Sequence, residues 1–425
     1  MKKVNLVLMA AMAAAGLAGV AGGSLLPATA AYAKEKDKAA ATKEKLSPAV
    51  AKPLVAAQTA MNEKKWDEAL TQLQAAQAVE PKTPYDSFMI DELGWYIQLQ
   101  KKDYVQSAAT LERIMGSPYI AEADKPQRLR ALTQMELQNK QYDKAVQYGT
   151  EYLKTKPDDE EIALALAQAR YLSNDFAGAK TAAEQLVAAS PKPSENALLL
   201  ALRANYELKN DAGTIQALEG LVKNYPQPKY WEDLLNNQLF KTKDDRGLRA
   251  LYRLMDETGT LDKGEEYAEM GATLVNGGFP NEAKQILERG MSANVFDAQA
   301  KGRAQADLDK ARSGSTLDAK ELATADKQIA TAKTANQIIG IGKLYFSAGD
   351  YAKAAETLQA GLTKGGATDA DDANLLLGIA AARAGRPADA KTAFAAVKNP
   401  TLAEVARLWT LKLDTPAPAA PPTAS

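Results

Sequence analysis

The chain of 425 residues contains no cysteine and no histidine. Without cysteine there can be no disulfide, no thiol nucleophile and no cysteine-linked lipid anchor. Without either residue, the usual zinc sites and the Ser-His-Asp triad are also excluded. Only carboxylates, lysine, tyrosine, serine and threonine remain for acid–base or nucleophilic chemistry. We therefore expect a protein that is not an enzyme and that uses no cofactor and no metal.

The chain also has no excess of charge of either sign. Its 52 lysine and arginine residues are balanced by 53 aspartate and glutamate residues. No block of basic residues stands in the part expected to fold, and no glycine-rich phosphate loop occurs. The sequence therefore predicts no binding of nucleic acid.

The first 33 residues have the pattern of a secretory signal peptide. Lys2 and Lys3 precede an apolar run from Val4 to Val20, and small-residue cleavage sites end at Ala30 and Ala33. The alternative is an uncleaved membrane anchor, for which the run is short. No second apolar run of membrane length follows. We expect a secreted product, periplasmic and without stable membrane insertion once the signal peptide is cleaved.

Composition divides the rest of the chain into five parts. Residues 34–47 are lysine-rich and of low complexity, which predicts a flexible lead-in. Residues 415–425 are rich in proline and alanine, which predicts a disordered tail. Between them, 48–295 and 336–414 carry a repeated helical pattern. The alanine-rich, charged segment 296–335 separates these two and is either a divergent helix pair or a helical spacer.

The repeated pattern is an aromatic residue, an alanine three residues later and a proline twelve residues after the alanine. An aromatic and a small residue three apart share one helical face, so the ring can fill the space beside a close helix–helix approach. The proline stops the second helix. Three copies align without gaps and consist of Trp66, Ala69 and Pro81, then Tyr142, Ala145 and Pro157, then Phe176, Ala179 and Pro191.

This pattern resembles the tetratricopeptide repeat (TPR), whose period is 34 residues. Ala145 and Ala179 are 34 residues apart. The family pattern places Leu-Gly and then Tyr on a first helix, an aromatic residue after the turn, and a small residue three positions later. Further copies carry parts of it, namely Ala283 at 264–290, Gly342, Tyr345, Tyr351 and Ala354 at 338–362, and Gly378 and Ala390 at 371–397.

The resemblance implies an all-α fold. The expected architecture is a TPR-type α-solenoid of roughly nine antiparallel helix pairs that form a right-handed superhelix. Residues 401–413 carry the apolar spacing of a terminal capping helix. The unit at 88–115 departs from the pattern, because Ser107 replaces the alanine and its turn is predicted to be one residue longer.

Two acidic clusters, 158–161 and 369–372, are the densest carboxylate groups in the sequence. Both stand at the predicted start of a first helix, where carboxylates accept hydrogen bonds from free backbone amides and complement the helix dipole. A glycoside-hydrolysing pair needs two carboxylates held across a cleft, which a linear cluster does not supply. We therefore expect helix caps at both clusters.

By resemblance to the family, the first helices of the repeats line a concave groove. Peptide-binding grooves mix polar and apolar groups, as the residues expected to face this groove do. They are Gln127, Arg130 and Gln134 in one unit, Leu164, Gln168 and Tyr171 in the next, and Ile339 and Lys343 near the C-terminus. Some family members grip a C-terminal carboxylate with lysine and asparagine. The matching positions in the first and last units are instead Leu54, Gln58, Leu375 and Ile379.

The resemblance thus predicts a non-catalytic scaffold of the cell envelope that binds a protein or peptide partner in its groove. A structural envelope protein that self-associates into a homo-oligomer is an alternative. A carboxylate-based enzyme acting on glycans is another alternative.

Overall fold

The computed structural model describes residues 45–415, and every regular element in this range is an α-helix. The all-α prediction is thereby confirmed. The signal sequence at 1–33, most of the lead-in at 34–47 and the tail after residue 415 lie outside the described residues. No described helix is long and apolar enough to cross a membrane. The described residues divide into two compact units, 45–210 and 211–415.

The helices of the first unit are α1 (Pro48–Asn62), α2 (Trp66–Gln77), α3 (Pro84–Gln100), α4 (Tyr104–Met115), α5 (Lys125–Gln138), α6 (Tyr142–Thr155), α7 (Glu160–Leu172), α8 (Phe176–Ala189) and α9 (Glu195–Glu207). They pair in chain order into four hairpins, and α9 packs on α7 and α8. The first helices of neighbouring hairpins also contact each other directly, because α1 contacts α3 and α5 contacts α7. The first unit is therefore a stack of hairpins, each in contact with its neighbours.

The helices of the second unit are α10 (Asp211–Asn224), α11 (Pro228–Lys241), α12 (Asp245–Thr258), α13 (Gly264–Asn276), α14 (Pro280–Ser292), α15 (Ala298–Leu322), α16 (Ala325–Thr331), α17 (Ala335–Ser347), α18 (Tyr351–Lys364), α19 (Ala370–Arg383), α20 (Pro387–Ala395) and α21 (Pro400–Asp414). The segment 296–335 supplies the long α15, which packs on α13 and α14, and the short α16, which packs on α17.

The turn within a hairpin repeats one backbone conformation. Its middle residue lies in the left-handed region, with φ of 56° at Lys64, 61° at Lys102 and 86° at Gly349. Glycine adopts this region without strain, whereas lysine is strained there. Because the same three-residue turn recurs, the second helix of each of these hairpins begins at the same point of the repeat.

The residues of the repeated pattern occupy matching places. The aromatic residues Trp66, Tyr142, Phe176 and Tyr351 are the first residues of α2, α6, α8 and α18. The prolines Pro81, Pro157 and Pro191 lie in the links that follow α2, α6 and α8. The alanines three residues into the second helices are fully or almost fully buried, namely Ala69, Ala145, Ala179, Ala283, Ala354 and Ala390.

The unit at 88–115 follows the same geometry, and the prediction of a longer turn is wrong. Its turn, residues 101–103, has three residues like the others. The extra residue lies inside α3, so Trp95 rather than Gly94 stands nine residues before the start of α4. The Ser107 hydroxyl donates to the carbonyl oxygen of Trp95 at 2.8 Å. Serine therefore fits the small-residue position because it bonds to the facing helix.

Close packing inside a hairpin places a small residue opposite a large one. A Cβ atom added at Gly378 would lie 2.3 Å from Cε1 of Phe394. At Gly342 it would lie 2.8 Å from Cγ of Leu358. Gly149 on α6 makes a close approach to the next hairpin instead, because a Cβ atom added there would lie 2.4 Å from Cδ2 of Leu166 on α7. Complementary volumes thus set the distance between paired helices.

The second unit is closed by its last helix. Helix α21 packs on α19 and α20, as a terminal cap would, and also contacts α10 and α12. The indole Nε1 of Trp409 donates to the carbonyl oxygen of Ala250 at 3.0 Å. Helix α12 contacts α19 as well. Helices that are far apart in the sequence therefore share one core in this unit.

Candidate partner-binding face

Two parallel rows of side chains run along the first helices of the first unit. Both rows are defined by counting back from the first residue of the second helix in each repeat. The residue eight positions earlier belongs to the polar row, and the residue five positions earlier belongs to the apolar row. Residues three apart on a helix share a face, so the rows are adjacent. The polar row is Gln58, Tyr96, Gln134, Gln168 and Arg203, and the apolar row is Met61, Leu99, Leu137, Tyr171 and Tyr206.

The two rows remain accessible to solvent along most of their length. All five members of the polar row are half-buried, as are Leu99, Leu137 and Tyr171 of the apolar row. Tyr206 is 51% exposed, whereas Met61 is buried. Leu172, next to Tyr171, is 50% exposed. The first unit thus presents a face with polar and aromatic groups side by side.

The predicted residues of α5 lie on this face and are tied to α7. Arg130 Nε donates to Asp159 Oδ2 at 3.1 Å, and Arg130 also pairs with Glu161. Gln134 Nε2 donates to Glu161 Oε1 at 2.7 Å. Gln127, one turn before Arg130, is exposed. These bonds fix the spacing between neighbouring first helices.

The predicted residues of α7 continue the face toward α9. Leu164 and Gln168 are half-buried. The Tyr171 hydroxyl donates to Glu207 Oε1 at 3.5 Å, and its ring meets the Phe176 ring edge-on with centroids 5.3 Å apart. The aromatic residue that begins α8 therefore also orients a tyrosine of the apolar row.

A carboxylate beside the face is held in its ionised form. Burial alone would raise the pKa of Asp159, but hydrogen bonds from Tyr152, from the backbone N–H of Ile162 and from Arg130 lower it overall. Burial, together with the hydrogen bond to Asp159, raises the pKa of Tyr152 to about 12. Because the carboxylate is charged and the phenol neutral at pH 7, the network between α5, α6 and α7 stays intact at physiological pH.

The two predicted residues of the second unit have a different environment. Ile339 is 7% exposed, and a Cβ added at Gly361 on α18 would lie 2.7 Å from its Cγ1. Lys343 Nζ donates to Asp372 Oδ2 at 2.7 Å, and Arg249 approaches the same carboxylate at 3.8 Å. Ile339 therefore has little surface to offer a partner, and the charge of Lys343 is already paired.

Helix α12 lies beside Lys343, because its Arg249 approaches the Asp372 carboxylate that Lys343 also binds. Its residues Arg246, Arg249 and Arg253 are spaced three and four apart and project from one face. Arg253 Nη2 donates to the buried Glu282 of α14 at 2.7 Å, and Arg383 of α19 donates to the same carboxylate at 3.2 Å. Aromatic rings of α17 and of the turn before α14 flank these guanidinium groups. Sequence reasoning missed this cluster, and its only local signal was the arginine spacing in α12.

The two acidic clusters cap helices, as predicted. Asp159 accepts a hydrogen bond from the backbone N–H of Ile162 at 3.2 Å at the start of α7. Asp369 accepts one from the backbone N–H of Asp372 at 3.1 Å at the start of α19. Among residues 45–415, no group of three or more acidic side chains could hold a metal ion.

Comparison with known proteins identifies the repeats. Models of the tetratricopeptide repeat match residues 136–206 and 339–403. These stretches include Gln168 and Tyr171 of the rows and the Tyr351 hairpin. The fold is thus all-α and of the tetratricopeptide type, which typically serves as a non-enzymatic scaffold for protein interactions. No curated protein matches the chain.

Several solved structures match the chain at low sequence identity and low TM-score. A structure of Naa15/Naa10 bound to HypK-THB is 15% identical, with 86% of this chain and 67% of that chain covered and a TM-score of 0.32. A tetratricopeptide repeat protein from Parabacteroides merdae is 14% identical, with coverages of 77% and 98% and a TM-score of 0.29. The TPR domain of P58(IPK) is 14% identical, with coverages of 79% and 98% and a TM-score of 0.22.

Proposed function

We propose that this chain is a non-catalytic scaffold of the cell envelope that holds a segment of a partner protein along the two rows of the first unit. The main support is the accessibility of the rows, most of whose members are half-exposed on the first helices α1, α3, α5, α7 and α9. At the two positions predicted on α17, Ile339 is 7% exposed and Lys343 is paired with Asp372. We therefore propose the rows of the first unit, rather than the predicted positions on α17, as the partner-binding face.

The composition of the face supports a protein ligand. Interfaces are enriched in tyrosine and arginine, and their buried centres lack unpaired charge. Tyr96, Tyr171 and Tyr206 supply rigid aromatic surface, and the glutamines between them supply donors and acceptors. Ordered contacts between neighbouring first helices mean that the face is preformed, which lowers the entropic cost of binding.

Photo-crosslinking in living cells tests this proposal. A photoreactive residue would replace Gln168 or Tyr206 in the rows. Val105 on α4, which is 62% exposed and apolar, is a matched control outside them. We expect one envelope protein to be crosslinked from both row positions and not from Val105. Its capture should be lost when Tyr171 is replaced by alanine.

Other outcomes would contradict the proposal. Capture of the same species from Val105 would show that the rows do not select the partner. Capture of the chain itself from the rows would favour the self-associating structural protein. Absence of any captured protein would remove the scaffold function.

The proposed location rests on residues 1–33 and has its own test. N-terminal sequencing of the chain from the periplasmic fraction should give Lys34 as the first residue, or Ala31 if the earlier site is cleaved. A chain that retains Met1 in the membrane fraction would instead support the uncleaved anchor. A chain that retains Met1 in the cytoplasm would exclude export.

A further inference from the structure

The guanidinium group of Arg249 on α12 is buried without a hydrogen bond. Arg249 is 7% exposed, and its side chain makes no hydrogen bond within residues 45–415. The nearest carboxylate oxygen, Asp372 Oδ1, lies 3.8 Å away, which is too far for one. One face of the group lies against Gly277, where an added Cβ would be 2.8 Å from Nε. Because a buried cation with unused donors is unfavourable, an acceptor from outside the chain is expected here.

The two arginines on either side of Arg249 differ from it. Arg246 Nε donates to Asp244 Oδ1 at 2.9 Å, and Arg253 Nη2 donates to Glu282 Oε2 at 2.7 Å. Both lie about one turn from Arg249 on the same face of α12. Among the three arginines of this face, only the middle one lacks a hydrogen-bonded carboxylate in the described part of the chain. Its donors are therefore the ones left for a ligand.

A second cation lies beside Arg249, on helix α17. Lys343 Nζ donates to Asp372 Oδ2 at 2.7 Å, and Arg249 approaches the other oxygen of the same carboxylate. The Lys343 side chain is 30% exposed, and its ammonium group can donate further hydrogen bonds. Asp245, one turn before Arg249, is exposed, so solvent screens its charge. Two positive charges thus share the single buried negative charge of Asp372.

The electrostatics of the site favour an added anion. Burial lowers the pKa of Arg249, an effect that Asp372 opposes and the neighbouring Arg253 reinforces. A low pKa means that the charged form of the guanidinium is held less favourably than in water. An anion in contact with Arg249 would counter both the burial and the repulsion from Arg253.

The donors of the site suit a small tetrahedral oxyanion. A guanidinium group presents a planar fork that matches two oxygens of one ligand. The ammonium group of Lys343 can then bond to a third oxygen, which phosphate has and a carboxylate lacks. The Arg249 side chain is 9% exposed. This enclosure favours a free ion over a phosphate group attached to a larger molecule.

We propose that the second unit binds one free oxyanion of the phosphate class between Arg249 on α12 and Lys343 on α17. Arg249 donates to two of its oxygens, and Lys343 donates to a third. Gly277, which has no side chain, leaves one wall of the site flat. The ion joins α12 to α17 and therefore stabilises the second unit. The proposal is independent of the partner-binding face of the first unit.

Titration of the full chain with inorganic phosphate tests this proposal. Isothermal titration calorimetry at constant ionic strength should show one saturable site. Sulfate, which has the same shape, should displace phosphate, whereas acetate and chloride should not. Arg249→Gln should weaken phosphate binding about ten- to hundredfold, because charge-assisted hydrogen bonds are lost. Arg312→Gln changes an exposed arginine on α15 and should leave the affinity unchanged.

A second variant keeps the test valid if Arg249→Gln disturbs the fold. Lys343 is half-buried, and Lys343→Gln should weaken phosphate binding about tenfold while the circular dichroism spectrum stays the same. Hydrogen exchange gives an independent measurement on the unmodified chain. Phosphate should raise protection in α12 and α17 and leave α1 to α9 unchanged.

Several results would overturn the proposal. They are the absence of saturable phosphate binding, undiminished binding by both variants, and equal displacement of phosphate by acetate. A crystal structure grown in phosphate that shows only water beside Arg249 would also refute it. Tighter binding of glycerol phosphate than of inorganic phosphate would identify a phosphate ester as the ligand and exclude the free ion.

Discussion

Replacing Glu282 by glutamine removes the negative charge at the centre of the second unit. Glu282 is 7% exposed and accepts from Arg253 at 3.0 and 2.7 Å and from Arg383 at 3.2 Å. Burial alone would raise the pKa of Glu282, but the two arginines lower it overall, which favours the charged form. Glutamine offers one acceptor oxygen and turns an NH₂ group toward two guanidinium groups. Because breaking a buried ion pair costs about 3–5 kcal/mol, we expect a loss of this size in the free energy of unfolding.

A matched control uses the same arginine. Glu257 accepts from Arg383 Nε at 2.9 Å, but its side chain is 36% exposed. Glu257→Gln should therefore lower the free energy of unfolding by about 1 kcal/mol or less. Urea denaturation measures both losses, and hydrogen exchange with mass spectrometry locates them. We expect protection to fall in α12, α14 and α19 and to stay unchanged in α1 to α9. Equal, small losses for the two variants would refute the reasoning that burial gives the cluster its stabilising effect.

Three further predictions concern the repeats. Gly378→Ala should lower the free energy of unfolding by about 1–3 kcal/mol, because the added Cβ would overlap Phe394. Adding Phe394→Leu to the same chain should recover part of this loss, as measured by urea denaturation. Lys102→Gly should raise the free energy of unfolding by up to about 1 kcal/mol, because φ is 61° there. The melting temperature should therefore rise slightly, and a lower melting temperature would contradict the strain argument. Burial opposes ionisation of Asp86, but hydrogen bonds from Ser47 and Thr83 lower its pKa to about 2. Because this pKa lies below the unfolded value of about 3.9, the contribution of Asp86 to stability is present above pH 4 and lost as the pH falls toward 2. Asp86→Asn should flatten that part of the plot of stability against pH. An unchanged plot would show that the Asp86 carboxylate does not cause this pH dependence.

The hairpins could be predicted from the sequence because their determinants are local. An aromatic residue and an alanine three positions apart locate the start of a second helix, and α2, α6 and α8 begin at Trp66, Tyr142 and Phe176. The spacing from Gly94 to Tyr104 predicts a turn that is one residue too long. Leu93-Gly94 matches the Leu-Gly of the family pattern, but it lies one position before the place where the glycine of that pattern belongs. Only the three-dimensional contact between Trp95 and Ser107 resolves that register.

The closure of the second unit could not be predicted in this way. Arg246, Arg249 and Arg253 have the spacing of a solvated helical face, and their partners are distant in the sequence. Arg246 Nη1 donates to Asp369 across 123 residues. No periodicity in one segment reports such a contact. The face of the first unit, in contrast, follows from the repeat register, because its rows are fixed by counting back from each second helix.

The position of α21 has a consequence for how the chain folds. In the first unit, hydrogen bonds such as that from Arg128 to Glu92 span 36 residues, about one repeat, so hairpins can form in succession as the chain emerges. In the second unit, the bond from Trp409 to Ala250 spans 159 residues. Such separation slows folding, because the entropy of loop closure is lost before the contact forms. A chain cut short before Pro400 would keep the first unit but leave the apolar faces of α12 and α19 uncovered. The fifteen residues of α21 thus complete the fold of half of the protein.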